Sequence, residues 1–159
     1  MMAGKKEGRQ IVCTSEVGLF YEAVRKIPPP FFAKMQAGGT KDFGWCRITM
    51  VKAENSSSCA GPQGVPMPAG NGCGFVIDIP HHNIKIYHAG STNVFSDMKI
   101  IDELYQPDIA ILPIGNILSM GPREAAYACK HFLPTPKIII PNQYGAFEGM
   151  TGTVEEFEK

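Results

Sequence analysis

Three polar segments follow predicted β-strands, and each carries one side chain that could bind a ligand. Asn55 lies in MVKAENSSS, Ser91 in IYHAGSTN and Gln143 in IIIPNQYG. Functional residues of α/β sheets lie in loops at the carboxyl ends of strands, so we expect the three at one edge of a sheet. Amides and hydroxyls form hydrogen bonds but are poor ligands for a catalytic zinc, which takes imidazole, carboxylate or thiolate. The hydroxyl at residue 91 therefore bears on whether this protein is an enzyme.

The elements that must position these residues are mixed strands followed by a β-α-β-α-β order, which predicts an α/β fold with helices packed against a sheet. Ser15 is the predicted N-cap of the first helix, and Pro28–Pro30 end it. Pro122 stands at the predicted first position of the last helix. The predicted strands cover residues 10–14, parts of 42–53, 74–80, 84–90, 108–115 and 137–145, and the predicted helices cover 17–26, 97–105 and 122–132.

Two other patterns carry structural predictions. Residues 56–74 are rich in Gly, Pro and Ser, which predicts a long irregular loop. The near-continuous apolar runs DIAILPIG and KIIIP predict buried strands, as in parallel sheets covered on both faces. A turn at residues 81–83 joins the two strands that precede those runs.

Composition narrows the class of protein. The length of 159 residues predicts a single domain, residues 1–159. The formal net charge is zero, so we expect neither nucleic acid nor a membrane surface as a partner. The N-terminal MMAGKKEGRQ has no apolar core of a secretory signal. Five cysteines without a CxxC pair predict reduced thiols, and hence a cytoplasmic protein.

Short sequence motifs at the predicted strand ends resemble those of a known family. AENSS (53–57), YHAGST (87–92) and PNQYG (141–145), with GGT, FSDMK, LPIG and MGPxEAA in the same order, are similar to the metallo-β-lactamase superfamily. The likeness is to its uncharacterised metal-dependent hydrolase branch, related to sugar-phosphate lactonases, and extends from about Gln10 to Phe147. The resemblance implies an α/β fold, the αββα sandwich, and a metal site at the strand ends.

The metal motifs of that family are altered in this chain. The histidine of its third motif falls on Asn55, its bridging aspartate on Ser91 and the histidine of its fifth motif on Gln143. The HxHxDH signature does not occur, so the resemblance implies an incomplete sandwich whose N-terminal part is missing. Without the metal nothing lowers the pKa of a bound water, and the family's nucleophile is lost. We therefore expect no catalytic residue, no metal ligand and no cofactor. Zinc or another divalent metal would be a cofactor only if the altered positions still bind one.

Three interpretations of the altered positions stay open. The residues could be relics that hydrogen-bond one another or water. They could form a repurposed pocket for a small ligand, with Thr92, Ser119 and Tyr144 on its rim. They could also retain a metal, with a partner that supplies further ligands.

Other residues of chemical interest have ordinary explanations as well. His81 and His82 lie in a predicted turn, His88 matches a framework histidine of the family, and His131 lies near a predicted helix C-terminus. The cysteines are more typical of core or loop positions than of nucleophiles. MGPREAA could hold an anion on free N–H groups, although a simple helix start also explains it.

A sheet face left uncovered in an incomplete sandwich would be costly, at about 25 cal/mol per Å² of apolar surface. We therefore expect a homo-oligomer or a protein partner that completes the sandwich. The predicted function is that of a catalytically inactive interaction or scaffold subunit. The alternative is a metal-dependent hydrolase-like protein or a small-ligand binder that reuses the old active-site pocket.

Overall fold

The computed structural model describes residues 9–159, which fall into two compact units. One unit contains the described residues up to 36 and residues 57–70, and the other contains 37–56 and 71–159. The strands are β1 (Ile11–Thr14), β2 (Phe32–Met35), β3 (Thr40–Asp42), β4 (Arg47–Ala60), β5 (Pro66–Ile79), β6 (Ile84–His88), β7 (Ile109–Pro113) and β8 (Ile138–Asn142). The helices are α1 (Ser15–Arg25), α2 (Met98–Tyr105), α3 (Pro122–His131) and α4 (Val154–Phe157).

The smaller unit contains the parallel pair β1–β2 and the helix α1. The hydroxyl of Thr14 accepts a hydrogen bond from the N–H of Val17 at 3.4 Å, so Thr14 is the N-cap. The predicted cap, Ser15, is instead the first helical residue, because the chain turns into the helix one residue earlier. The helix ends at Arg25, and the next residue, Lys26, has a left-handed backbone, so the end comes before the prolines that were expected to end it.

The larger sheet has six strands in the order β3-β4-β5-β6-β7-β8. The β5–β6 pair is antiparallel and is joined by the predicted turn at residues 81–83, whereas β6–β7 and β7–β8 are parallel. Each parallel connection passes through a helix, α2 or α3, as the predicted β-α-β-α-β order requires. The carboxyl ends of β6, β7 and β8 therefore meet at one edge of the sheet.

The prediction of a long loop over residues 56–74 is wrong. β4 continues to Ala60 and β5 begins at Pro66, so that only residues 61–65 connect the two strands. The N–H of Gly61 donates to the carbonyl of Val65 at 2.8 Å and closes this connection. Gly, Pro and Ser have low strand propensity, but the hydrogen bonds between neighbouring strands outweigh that local preference.

Helices α2 and α3 cover one face of the sheet and form the main core with it. Both helices have nearly their predicted bounds, and β7 is buried at Ala110 and Leu112. The last strand, β8, was predicted to be buried, and this prediction is wrong. Ile138 is 53% exposed and Ile140 is 43% exposed. β8 is an edge strand, a position that an apolar run does not reveal. Within residues 9–159, no helix has the length and apolar character needed to cross a bilayer.

Candidate ligand pocket at the strand ends

The structure brings the three predicted positions together at one edge of the larger sheet. Ser91 follows the end of β6 and Gln143 follows the end of β8, as predicted. Asn55 does not end a strand but lies within β4, because that strand continues for five more residues. Its side chain reaches the cluster from the strand itself.

Hydrogen bonds join these residues directly. The hydroxyl of Ser91 lies 3.0 Å from Oε1 of Gln143 and 3.2 Å from the carbonyl oxygen of Leu118. Nδ2 of Asn55 donates to the carbonyls of Ser91 and Leu118, both at 3.1 Å. Since a serine hydroxyl has one proton, it donates to one of its two acceptors at a time. For Nε2 of Gln143, the structure records no hydrogen bond within residues 9–159, so a ligand can use this donor.

The backbone of Gln143 is held in an unusual conformation. Its φ of 55° lies in the left-handed region, which costs a non-glycine residue roughly 1–2 kcal/mol. The loop after β7 approaches this residue closely at Gly115. A Cβ at Gly115 would collide with the carbonyl oxygen of Gln143, so a glycine is needed there. Non-glycine residues in this region cluster at functional sites, where the surrounding structure maintains the strain. The cluster is thus held in place by the loop after β7.

Thr92 does not lie on the rim of a pocket as predicted, since it is completely buried. Its hydroxyl accepts from the N–H of Glu54 at 2.9 Å and donates to the carbonyl of Asn93 at 2.8 Å. Its own carbonyl accepts from the N–H of Met120 at 2.8 Å. Thr92 therefore connects β4 with the two loops that carry the cluster, and its role is structural.

The other predicted rim residues are near the cluster in sequence but do not join it by hydrogen bonds. Ser119 is half-buried, and its hydroxyl donates to the carbonyl of Met120 at 3.3 Å. Tyr144 is 42% exposed. The neighbour that does take part, Leu118, contributes only its carbonyl. No sequence pattern identifies such a residue, because every residue type has this group.

The donor set does not fit a divalent metal. Asn55, Ser91 and Gln143 offer only amide and hydroxyl groups, and the oxygen of the Asn55 amide already accepts a hydrogen bond from the N–H of Ser56 at 2.9 Å. Glu54, the neighbouring carboxylate, lies on the opposite face of the strand and pairs with Lys52 at 3.0 Å. Within residues 9–159 there is no group of three or more His, Cys, Asp or Glu residues that could hold a metal ion.

Neither Cys73 nor Cys129 is an activated nucleophile. Burial raises the pKa of Cys73, on β5, above its ordinary value, and raises that of Cys129, on α3, to about 11. Both thiols stay protonated at neutral pH and are therefore poor nucleophiles. Nδ1 of His88 accepts a hydrogen bond from the N–H of Gly90 at 3.1 Å, which agrees with its predicted framework role.

Comparison with known proteins supports the family resemblance. Residues 6–140 match the family model described as beta-lactamase superfamily domain. The chain is 41% identical to a UPF0173 metal-dependent hydrolase of Koribacter versatilis and 37% identical to one of Methanosarcina barkeri. Each match covers 98% of this chain but 64% of the relative. The chain thus spans just under two thirds of the length of these relatives.

Solved structures show the same fold. The structure described as a novel metallo hydrolase, Igni18, from Ignicoccus hospitalis, is similar with a TM-score of 0.74 and 26% identity, over 94% of this chain and 59% of that one. A structure described as a putative metal-dependent hydrolase, from Parabacteroides distasonis, has a TM-score of 0.64 and 22% identity, over 96% and 60% respectively. The family model and these folds agree with the motifs at the strand ends, and the chain belongs to the metallo-β-lactamase superfamily.

Proposed function

We propose that this chain is part of a hydrolase-like protein that has kept the family's pocket and uses it to bind a small, uncharged, hydrogen-bonding ligand. The observation that carries the proposal is the hydrogen-bonded cluster of Asn55, Ser91 and Gln143. It lies at the sheet edge whose sequence motifs resemble the metal motifs of this superfamily, and it contains neutral donors and acceptors in place of metal ligands.

The free groups of the cluster indicate the chemistry of the ligand. Nε2 of Gln143 is a donor, and the hydroxyl of Ser91 can exchange one of its two acceptors for a ligand oxygen. A lactam or lactone ring offers a carbonyl acceptor and no charge to desolvate. An ionised ligand would find no opposite charge among the three side chains.

The names of the relatives favour a hydrolase-like protein over a pure scaffold. A metal-dependent reaction is the second candidate, because these relatives are named metal-dependent hydrolases. Asn55, Ser91 and Gln143 would not hold that metal, so its ligands would have to come from elsewhere.

A glycine substitution gives a clean test of the pocket. Gln143→Gly removes the amide and relieves the left-handed backbone, so the fold should be retained. Gln106→Gly is the matched control, since Gln106 has φ of 48° at the end of α2, outside the cluster. Binding of δ-valerolactam is followed in the ¹⁵N-labelled protein by NMR titration, and the metal content is measured by elemental analysis.

The outcomes separate the candidate functions. We expect wild type and Gln106→Gly to bind the lactam alike, with shifts at residues 91 and 118, and Gln143→Gly to lose roughly tenfold in affinity or more. Near-stoichiometric metal that Gln143→Gly removes would overturn the proposal in favour of a metal-dependent hydrolase, to be assayed on lactones and phosphoesters. Neither lactam binding nor metal would overturn it in favour of the interaction or scaffold subunit predicted from the sequence.

A further inference from the structure

A cavity lies beside helix α3, on residues that the cluster at the sheet edge does not use. It is an open cleft of about 600 Å³, a volume typical of small-molecule sites. Its walls carry two permanent cations, one carboxylate, two rings and two apolar side chains. These residues are Val94, Arg123, Glu124, Ala126, Tyr127, Lys130 and His131.

The charge of the cleft favours an anion. Arg123 and Lys130 are exposed, and neither forms an ion pair within the described part of the chain. Glu124 is the one carboxylate among the lining residues, so the permanent charges sum to plus one. Arg123 lies in the first turn of α3, where the positive end of the helix dipole adds to its attraction for an anion. Its planar guanidinium can bind a phosphate through two parallel hydrogen bonds.

The rings of the cleft favour an aromatic ligand. Tyr127 is 52% exposed, and its ring centroid lies 4.2 Å from that of His131. Arg123, Tyr127 and Lys130 are spaced i, i+4 and i+7, so they lie on one face of the helix. The exposed ring therefore stands between the two cations. Val94 adds an apolar wall, which suits the edge of a second ring.

We propose that this cleft binds a small aryl phosphate. The phosphate pairs with Arg123, the aryl ring packs on Tyr127, and Lys130 attracts the remaining negative charge. The ligand class follows from the combination of unpaired cations and an exposed ring on one helix face. This site is separate from the proposed lactam pocket, and each can be present without the other.

Three probes, each used with the full chain, separate the contribution of the phosphate group to binding from that of the aryl ring. Phenyl phosphate, inorganic phosphate and phenol are titrated separately into ¹⁵N-labelled protein. We expect phenyl phosphate to shift the amides of α3 and of Val94 and to bind several-fold more tightly than inorganic phosphate. Phenol alone should bind weakest, and added salt should weaken the binding of both phosphates.

Variants of exposed residues locate the site without disturbing the core. Arg123→Gln should weaken phenyl phosphate about tenfold, since a charge-assisted pair is lost. Tyr127→Ser should bring its affinity down to that of inorganic phosphate. Lys137→Gln, an exposed lysine outside the cleft, is the matched control, and circular dichroism checks that each variant is folded.

The proposal is overturned by any of three results: wild type that does not bind phenyl phosphate, equal affinity for phenyl and inorganic phosphate, or equal weakening in Arg123→Gln and Lys137→Gln. Gln143→Gly should leave phenyl phosphate binding unchanged. Failure of the lactam pocket is therefore distinguishable from failure of this site.

Discussion

The two faces of the larger sheet are both apolar, but only one is sealed by the helices of the same unit. On the helix side, Val76, Tyr87, Ala110 and Ile139 form one row across β5 to β8. On the other side, the next row is made of four isoleucines, at residues 77, 86, 109 and 138. Alternation along each strand puts neighbouring residues on opposite faces, so the two rows are directly comparable.

Burial separates the two rows. Val76 is 2% exposed, and Tyr87 and Ala110 are completely buried in the core formed with α2 and α3. The isoleucines at 77, 86 and 109 are only partly buried, and Ile138 is 53% exposed. Hydrophobic residues thus occupy both faces, whereas dense packing is found on one. Stability should therefore depend mainly on the helix side, and association on the isoleucine side.

The largest effect is expected from Leu112→Ala on the helix side. Leu112 is completely buried, so its truncation should lower the free energy of unfolding by about 2–5 kcal/mol through lost burial and a cavity. Urea unfolding followed by circular dichroism measures this difference. A loss below about 1 kcal/mol would contradict the dense packing of this face.

A smaller effect is expected from Ile86→Ala on the opposite face. Ile86 is partly buried, so less apolar surface returns to water, and we expect a loss of about 1–2 kcal/mol. The same urea experiment gives the comparison with Leu112→Ala. Equal losses in the two variants would mean that both faces are packed alike in solution.

Tyr87→Phe tests a buried polar atom on the helix side. The hydroxyl of Tyr87 has no hydrogen-bond partner in the described structure, so its removal should raise the free energy of unfolding by up to about 1 kcal/mol. Burial raises the pKa of Tyr87 far above its ordinary value of about 10. The unfolded state therefore loses this proton first, and the stability that wild type has below about pH 10 falls as the pH rises above it.

Urea unfolding at neutral pH and above about pH 10 checks this prediction in wild type and Tyr87→Phe. The variant should show a smaller loss of stability at alkaline pH. A parallel decline in both proteins would show that other groups cause it.

The smallest change in stability is expected from Ile138→Lys at the sheet edge. Since Ile138 is mostly exposed, the free energy of unfolding should change by less than about 0.5 kcal/mol. The homo-oligomer or completing partner expected from the sequence stays a prediction, and so does the incomplete sandwich. Sedimentation should show wild type as an oligomer that Ile138→Lys weakens. A stable wild-type monomer would contradict the homo-oligomer.

Several local elements could be predicted from the sequence because short-range chemistry specifies them. Pro122 starts α3 at the predicted residue, and the turn at residues 81–83 joins two antiparallel strands as expected. The motifs at the strand ends were sufficient to identify the superfamily. The loop predicted over residues 56–74 was wrong because composition reflects the propensity of single residues, whereas β4 and β5 are hydrogen-bonded to each other and continue almost to the short connection at residues 61–65.

The candidate site shows the same division. The sequence by itself determined that Asn55, Ser91 and Gln143 are neutral. It predicted correctly that Ser91 and Gln143 follow strand ends, but it was wrong for Asn55, which lies within β4. Only the tertiary structure decided that Thr92 is buried, that the carbonyl of Leu118 joins the cluster, and that one of two apolar faces is sealed by helices. The residue type alone sets the chemistry of each side chain, but burial and backbone contacts depend on which distant segments the fold brings together.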